Sequence, residues 1–203
     1  MSTYRYIQLA LCLALLSSST PSTAQRDGDP LAPILRCVQG GNFATLEQGR
    51  LPATVTSRSV DTLSGPRSVS MRDGYRLILA TSQGKPFVNL KVELSAPASA
   101  TNDREAVEAQ MLAFSSRRTP DQRELQRTLT SGVEVLVLHQ PDLERRGPLS
   151  FYSMFVPSRS IIATLYILNQ DPAGRAFSTY GEFETLRDEA ANLVQRCLAA
   201  SGA

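Results

Sequence analysis

The chain has 203 residues, of which 42% are hydrophobic and 20% charged, and a formal net charge of +2. That balance excludes collagen, a disordered chain and a multi-spanning membrane protein: Gly and Pro number 12 each, and no apolar run reaches the roughly 20 residues a span needs. Three cysteines are too few for a disulfide knot, and a near-neutral charge gives no strong basic patch for nucleic acid.

The first segment reads as a cleaved signal peptide over residues 1–24. Arg5 supplies the positive start, Ile7 to Leu16 is apolar apart from Gln8, and Ser22-Thr23-Ala24 fits a small-x-small cleavage signal. Removing residues 1–24 from 203 leaves 179, a normal size for one domain, and takes away Arg5 and Cys12. The remaining pair, Cys37 and Cys197, reads as one disulfide in an exported protein, tying the first helix to the last. The loop so closed is worth roughly 5 kcal/mol at most in the chain-entropy account. Neither cysteine belongs to a CxxC pair, so the expectation is structural. No membrane span is expected after cleavage, and the destination is the periplasm or the extracellular space.

Residues 25–29 form a polar tether. Asp29-Pro30 reads as an N-cap with proline behind it, predicting a short helix to about Val38 whose apolar face is Leu31, Ile34, Leu35 and Val38. Thr54 to Val60 reads as a strand, Gly65-Pro66 as a turn and Arg67 to Met71 as a short edge strand. Asp73-Gly74 predicts a hairpin turn before a strand over Tyr75 to Ala80. From Phe87 to Leu94 apolar and polar residues alternate, which predicts a half-buried strand exposing Asn89, Lys91 and Glu93. Asn102 with Glu105 forms a capping-box pattern for a helix whose apolar stripe includes Val107, Met111 and Phe114. Thr119-Pro120 predicts a second, shorter helix to about Leu129, ended by Gly132.

Val133 to His139 is nearly continuous and apolar, which predicts a central strand buried on both faces. Leu149 to Val156 and Ile161 to Leu168 are two further strands with a tight connection at 157–160. Thr179 with Glu182 is a capping box for a last helix whose stripe is Phe183, Leu186, Ala190, Leu193, Val194 and Cys197. The expected fold over residues 30–200 is therefore a single α+β domain, with 201–203 as a tail. An antiparallel sheet of six to seven strands packs against a long C-terminal helix and a central helix pair, and the N-terminal helix is stapled by the disulfide.

Common catalytic patterns are missing. There is no G-x-S-x-G elbow, Walker A loop or dinucleotide fingerprint, and one histidine beside paired cysteines makes no zinc set, so no metal or cofactor is expected. His139 is the only candidate for imidazole acid or base chemistry. An up-down-up arrangement of the last three strands puts the loops 140–148 and 169–178 at one end of the sheet. His139, Asp142, Glu144, Arg145, Arg146, Asp171 and Arg175 then form a charged rim of mixed sign, the densest constellation in the chain.

The reading this favours is an exported domain that binds a protein or envelope component without catalysis, of inhibitor, immunity or assembly-accessory type. The alternatives are an exported hydrolase using His139 with Asp142 or Asp171, and a small-ligand carrier lined by Phe151, Phe155 and Tyr166.

Overall fold

The alternating segments become strands and the segments with helical spacing become helices in the computed structural model, which describes residues 28–51, 56–96, 98–116, 125–139, 143, 148–171 and 174–201. The expected signal segment lies outside the described residues. The elements in chain order are α1 (Ala32–Gln39), β1 (Ala44–Arg50), β2 (Thr56–Thr62), β3 (Gly65–Ala80), β4 (Pro86–Ser95), α2 (Ala100–Ser116), β5 (Gln126–Thr130), β6 (Val133–His139), β7 (Pro148–Val156), β8 (Ile161–Leu168), β9 (Gln170–Asp171), β10 (Gly174–Arg175) and α3 (Tyr180–Ala200).

One antiparallel sheet organises them, in the order β1-β3-β4-β8-β7-β6-β5, with β2 paired to the first half of β3. Its two faces bury separate cores. On one face Val88, Leu90 and Val92 of β4, Val133, Val135 and Val137 of β6, and Leu165 and Ile167 of β8 pack under α1 and α3. On the other, Leu136, Leu138, Phe151, Phe155 and Ile162 pack under α2 together with Val60 and Val69. Odd and even residues of β6 therefore serve opposite cores, which is why its sequence is apolar apart from Glu134 and the terminal His139. It is buried on both faces as expected, but it lies second from the edge rather than at the centre.

Helix α3 forms where the sequence predicts it. Thr179 Oγ1 accepts from the Glu182 amide at 3.2 Å, and the Glu182 carboxylate accepts from the Ser178 and Thr179 amides at 2.7 and 3.2 Å. At its other end Arg159, from the tight connection after β7, donates to the Leu198 carbonyl and to Ser201 Oγ, placing a cation at the helix C-terminus. Cys37 of α1 and Cys197 of α3 are bonded across 160 residues of sequence, with their Cα atoms 5.5 Å apart. Asp29 does not cap α1 in the simple sense, since the helix begins at Ala32. Its carboxylate accepts instead from the Leu31 amide (2.9 Å) and the Tyr75 hydroxyl (2.5 Å). Burial, and then that bond to Asp29, push the Tyr75 phenol up to about 12.

Several expectations require correction. The central helix pair is a single described helix, α2: residues 117–124 of the second helix lie outside the described residues, and Gln126–Thr130 is strand β5. Thr128 and Thr130 favour extended backbone, and the turn Ser131-Gly132, with both φ positive (52° and 75°), closes a two-residue hairpin that pairs β5 with β6. Helix α2 starts at Ala100, ahead of the expected box, because Ser99 already accepts from the Asp103 amide. Asn102 instead accepts from Arg67 and donates to the Ser68 carbonyl, and Glu105 pairs with Arg67. Residues 44–50 form β1, which sequence reading left unassigned. Lastly, Glu93 is buried at 3% exposure, so the Asn89–Lys91–Glu93 face is not plain solvated surface.

Asp73-Gly74 makes no hairpin. Strand β3 runs straight through it with a bulge against β4 between Met71 and Asp73. Glycine is needed here for space: a Cβ on Gly74 would lie 3.0 Å from the Val92 carbonyl oxygen and from Leu51, and 3.1 Å from Glu93 Cγ. Because one of the two closest atoms is sheet backbone that cannot retreat, Gly74→Ala is expected to cost about 1–2 kcal/mol of stability in a denaturant titration. An unchanged midpoint would show that the strands separate freely at this point.

Candidate functional site

Strands β6, β7 and β8 form the expected antiparallel meander, with Leu138 opposite Phe151 and Phe151 opposite Tyr166. The chain therefore leaves β6 after His139 and β8 after Leu168 at the same end of the sheet. Asn169 links the two departures. Its side chain is fully buried, Nδ2 donating to the Leu143 carbonyl at 3.1 Å and Oδ1 accepting from the Phe177 amide at 2.7 Å. The turn between β3 and β4 joins them, since Lys85 Nζ donates to the Arg175 carbonyl at 2.9 Å. Beneath these connections Phe43, Phe87, Phe177 and Phe183 meet edge to face, with successive centroids 5.2, 5.7 and 5.6 Å apart. Three loops are thus anchored on a packed aromatic floor.

His139 lies half-buried at the end of β6, and Arg175 is exposed in β10. Asp171 is placed by its backbone, which pairs with Gly174 in the β9–β10 ribbon. Asp142, Glu144, Arg145 and Arg146 lie outside the described residues. Asn169 and Lys85, which hold the rim together, were missed by sequence reasoning. The only signal for Asn169 is an asparagine closing an apolar run before an Asp-Pro pair, a position where Asn side chains bond local backbone.

His139 Nδ1 is 2.8 Å from Ser150 Oγ on the neighbouring strand, and the ring meets Tyr152 edge to face at 5.7 Å. Ser150 is fully buried, so this contact holds the imidazole in place and presents no nucleophile to solvent. His139 closes one end of a groove of about 220 Å³ between the sheet and the flank of α3. Its floor is Val135, Val137 and Met154, and its wall is Asp188, Asn192 and Gln195, which share one face of the helix. The Asp188 carboxylate is engaged by Arg187 at 2.7 and 3.1 Å, and that guanidinium sits 5.2 Å from the Phe183 ring centre. Burial raises the Tyr152 phenol well above its ordinary value. The groove therefore offers amides, an uncharged phenol and an apolar floor, a set suited to recognition.

A second charged cluster lies between α2 and the β5–β6 hairpin. Arg104 donates to both carboxylate oxygens of Glu134 (2.8 and 2.5 Å) and to Glu108 (3.1 Å), while Arg127 pairs with Glu108 and Glu134. The hydrogen bond from Arg104 holds the Glu134 carboxyl below its usual range, against the opposing effect of burial. Each acid has an arginine, and the cluster braces helix to hairpin. Phe151, Phe155 and Tyr166, expected to line a ligand pocket, belong to the α2-side core. Phe151 stacks on Tyr166 at 4.6 Å, and Phe155 lies beneath Arg104. Among the described residues no group of three or more His, Cys, Asp or Glu side chains could hold a metal ion, and no helix is long and apolar enough to cross a membrane.

Comparison of the chain with models of protein families, with curated proteins and with solved structures finds no match.

Proposed function

We propose that this chain is an exported binding domain that engages a protein or envelope component through the loop rim at the His139 end of the sheet, without catalysis. The observation that carries this reading is Asn169. A fully buried amide is committed to joining the segments after β6 and β8, and loops anchored on a rigid scaffold are where binding residues concentrate. The Cys37–Cys197 bond supports export, because such bridges persist in oxidising compartments.

A photo-crosslinking residue at Arg175 tests the reading, with one at Leu63, in the β2–β3 turn, as the control. In the native envelope fraction the mature protein is expected to give a discrete adduct from position 175 and none from position 63. Equal labelling from both, or none from either, counts against a partner at the rim. If His139→Ala abolishes a measurable hydrolytic activity, the hydrolase reading replaces the binding one.

A further inference from the structure

The far edge of the sheet, which β1 and β2 share along β3, differs from the β5 edge. Strand β1 carries a bulge between Thr45 and Glu47 and an acidic side chain beside it, both of which discourage edge pairing. Strand β5 has neither. Its ladder with β6 runs without a register shift, all five of its residues are exposed, and Leu129 is 74% exposed.

The hairpin fixes which backbone groups face outward. In a two-residue turn of this type the flanking residues, here Thr130 and Val133, exchange both hydrogen bonds. Counting back along β5, Gln126, Thr128 and Thr130 direct their amides to β6. Arg127 and Leu129 direct theirs away from the sheet.

We propose that β5 pairs antiparallel with β5 of a second copy of this chain, joining two sheets edge to edge about a two-fold axis at Thr128. That register places Arg127 opposite the second copy's Leu129, and the reverse, so every outward amide and carbonyl of these two residues is matched. Thr128 faces its own counterpart, a favourable cross-strand pair. Arg127 and Leu129 share the α2 side of the sheet, so the pairing sets each exposed leucine beside the first methylenes of the other copy's arginine, whose guanidinium stays with Glu108 and Glu134. The arginine charge is already matched within its own copy by Glu108 and Glu134, which removes the repulsion that usually guards an edge. The self-complementary register and this internal neutralisation single out a second copy as the occupant. A five-residue edge is a small interface, so the dimer is a weak one that forms with rising concentration.

Sedimentation velocity of the mature protein between about 1 and 300 µM tests this, a range that spans weak association. The wild type is expected to shift from monomer toward dimer. Leu129→Pro removes only an outward amide and is tolerated on an edge strand. It is expected to weaken association at least tenfold while leaving the monomer's melting temperature within about 2 °C. Leu129→Lys, which keeps the backbone intact, is expected to do the same. A monomer at every concentration overturns the proposal, as does a dimer that neither substitution weakens. A monomer whose β5 amides become protected only on adding a foreign extended peptide also overturns it, assigning the edge to a different partner.

Discussion

Cys37→Ser is expected to lower the melting temperature by about 8–16 °C under oxidising conditions. The bridge closes 160 residues, and loss of so long a loop costs about 4 kcal/mol. For a domain of this size each kcal/mol moves the midpoint by about 2–4 °C. With a strong reductant present, the wild type and the variant are expected to melt together. An equal gap in both conditions would mean that the serine disturbs packing beside the fully buried Cys197 and that the bond itself contributes little.

Glu134→Gln is expected to cost about 2 kcal/mol near neutral pH, lowering the melting temperature by about 4–8 °C. The substitution keeps the shape but removes the charge that Arg104 and Arg127 share with Glu108. Folding lowers the Glu134 pKa from its ordinary 4.5, so the native state favours the carboxylate. Its contribution is fully present above about 4.5 and is lost as pH falls through the lower folded value. The gap between wild type and variant should therefore close as the pH is taken from 7 to 3. A gap that stays constant would assign the loss to geometry rather than charge.

How far the sequence discloses this fold depends on where the deciding forces lie. The capping box at Thr179 and Glu182 is local, three residues apart, and it forms as read. The alternation of β4 and the continuous apolar run of β6 are local too, and each reports which faces are buried. Strand β5 is decided elsewhere. The helix-start signal at Thr119-Pro120 lies outside the described residues, and over Gln126–Thr130 pairing with β6 across Ser131-Gly132 decides for strand. Asp73-Gly74 shows the same competition: a favourable turn pair is held extended by β4 on one side and by the Leu51 amide, just past β1, on the other. The candidate site divides in the same way. The meeting of the two loops follows from the meander and its short connection, and is legible. The residues that hold them, Asn169 and Lys85, act on backbone carbonyls far away in sequence, and nothing in their immediate neighbours marks them.

The covalent link between α1 and α3 also determines how this protein meets mechanical load. Tension applied at the two ends of the domain enters at α1 and leaves at α3, and passes between them through a single sulfur–sulfur bond. The 160-residue span enclosed by the bridge, which contains the whole sheet, carries none of it. Oxidised, the domain can lengthen only by unwinding the short stretches outside Cys37 and Cys197. Reduced, the same pull reaches the strands and can draw out roughly 500 Å of chain at about 3.3 Å per residue. One redox step thus converts an inextensible tie into an extensible one.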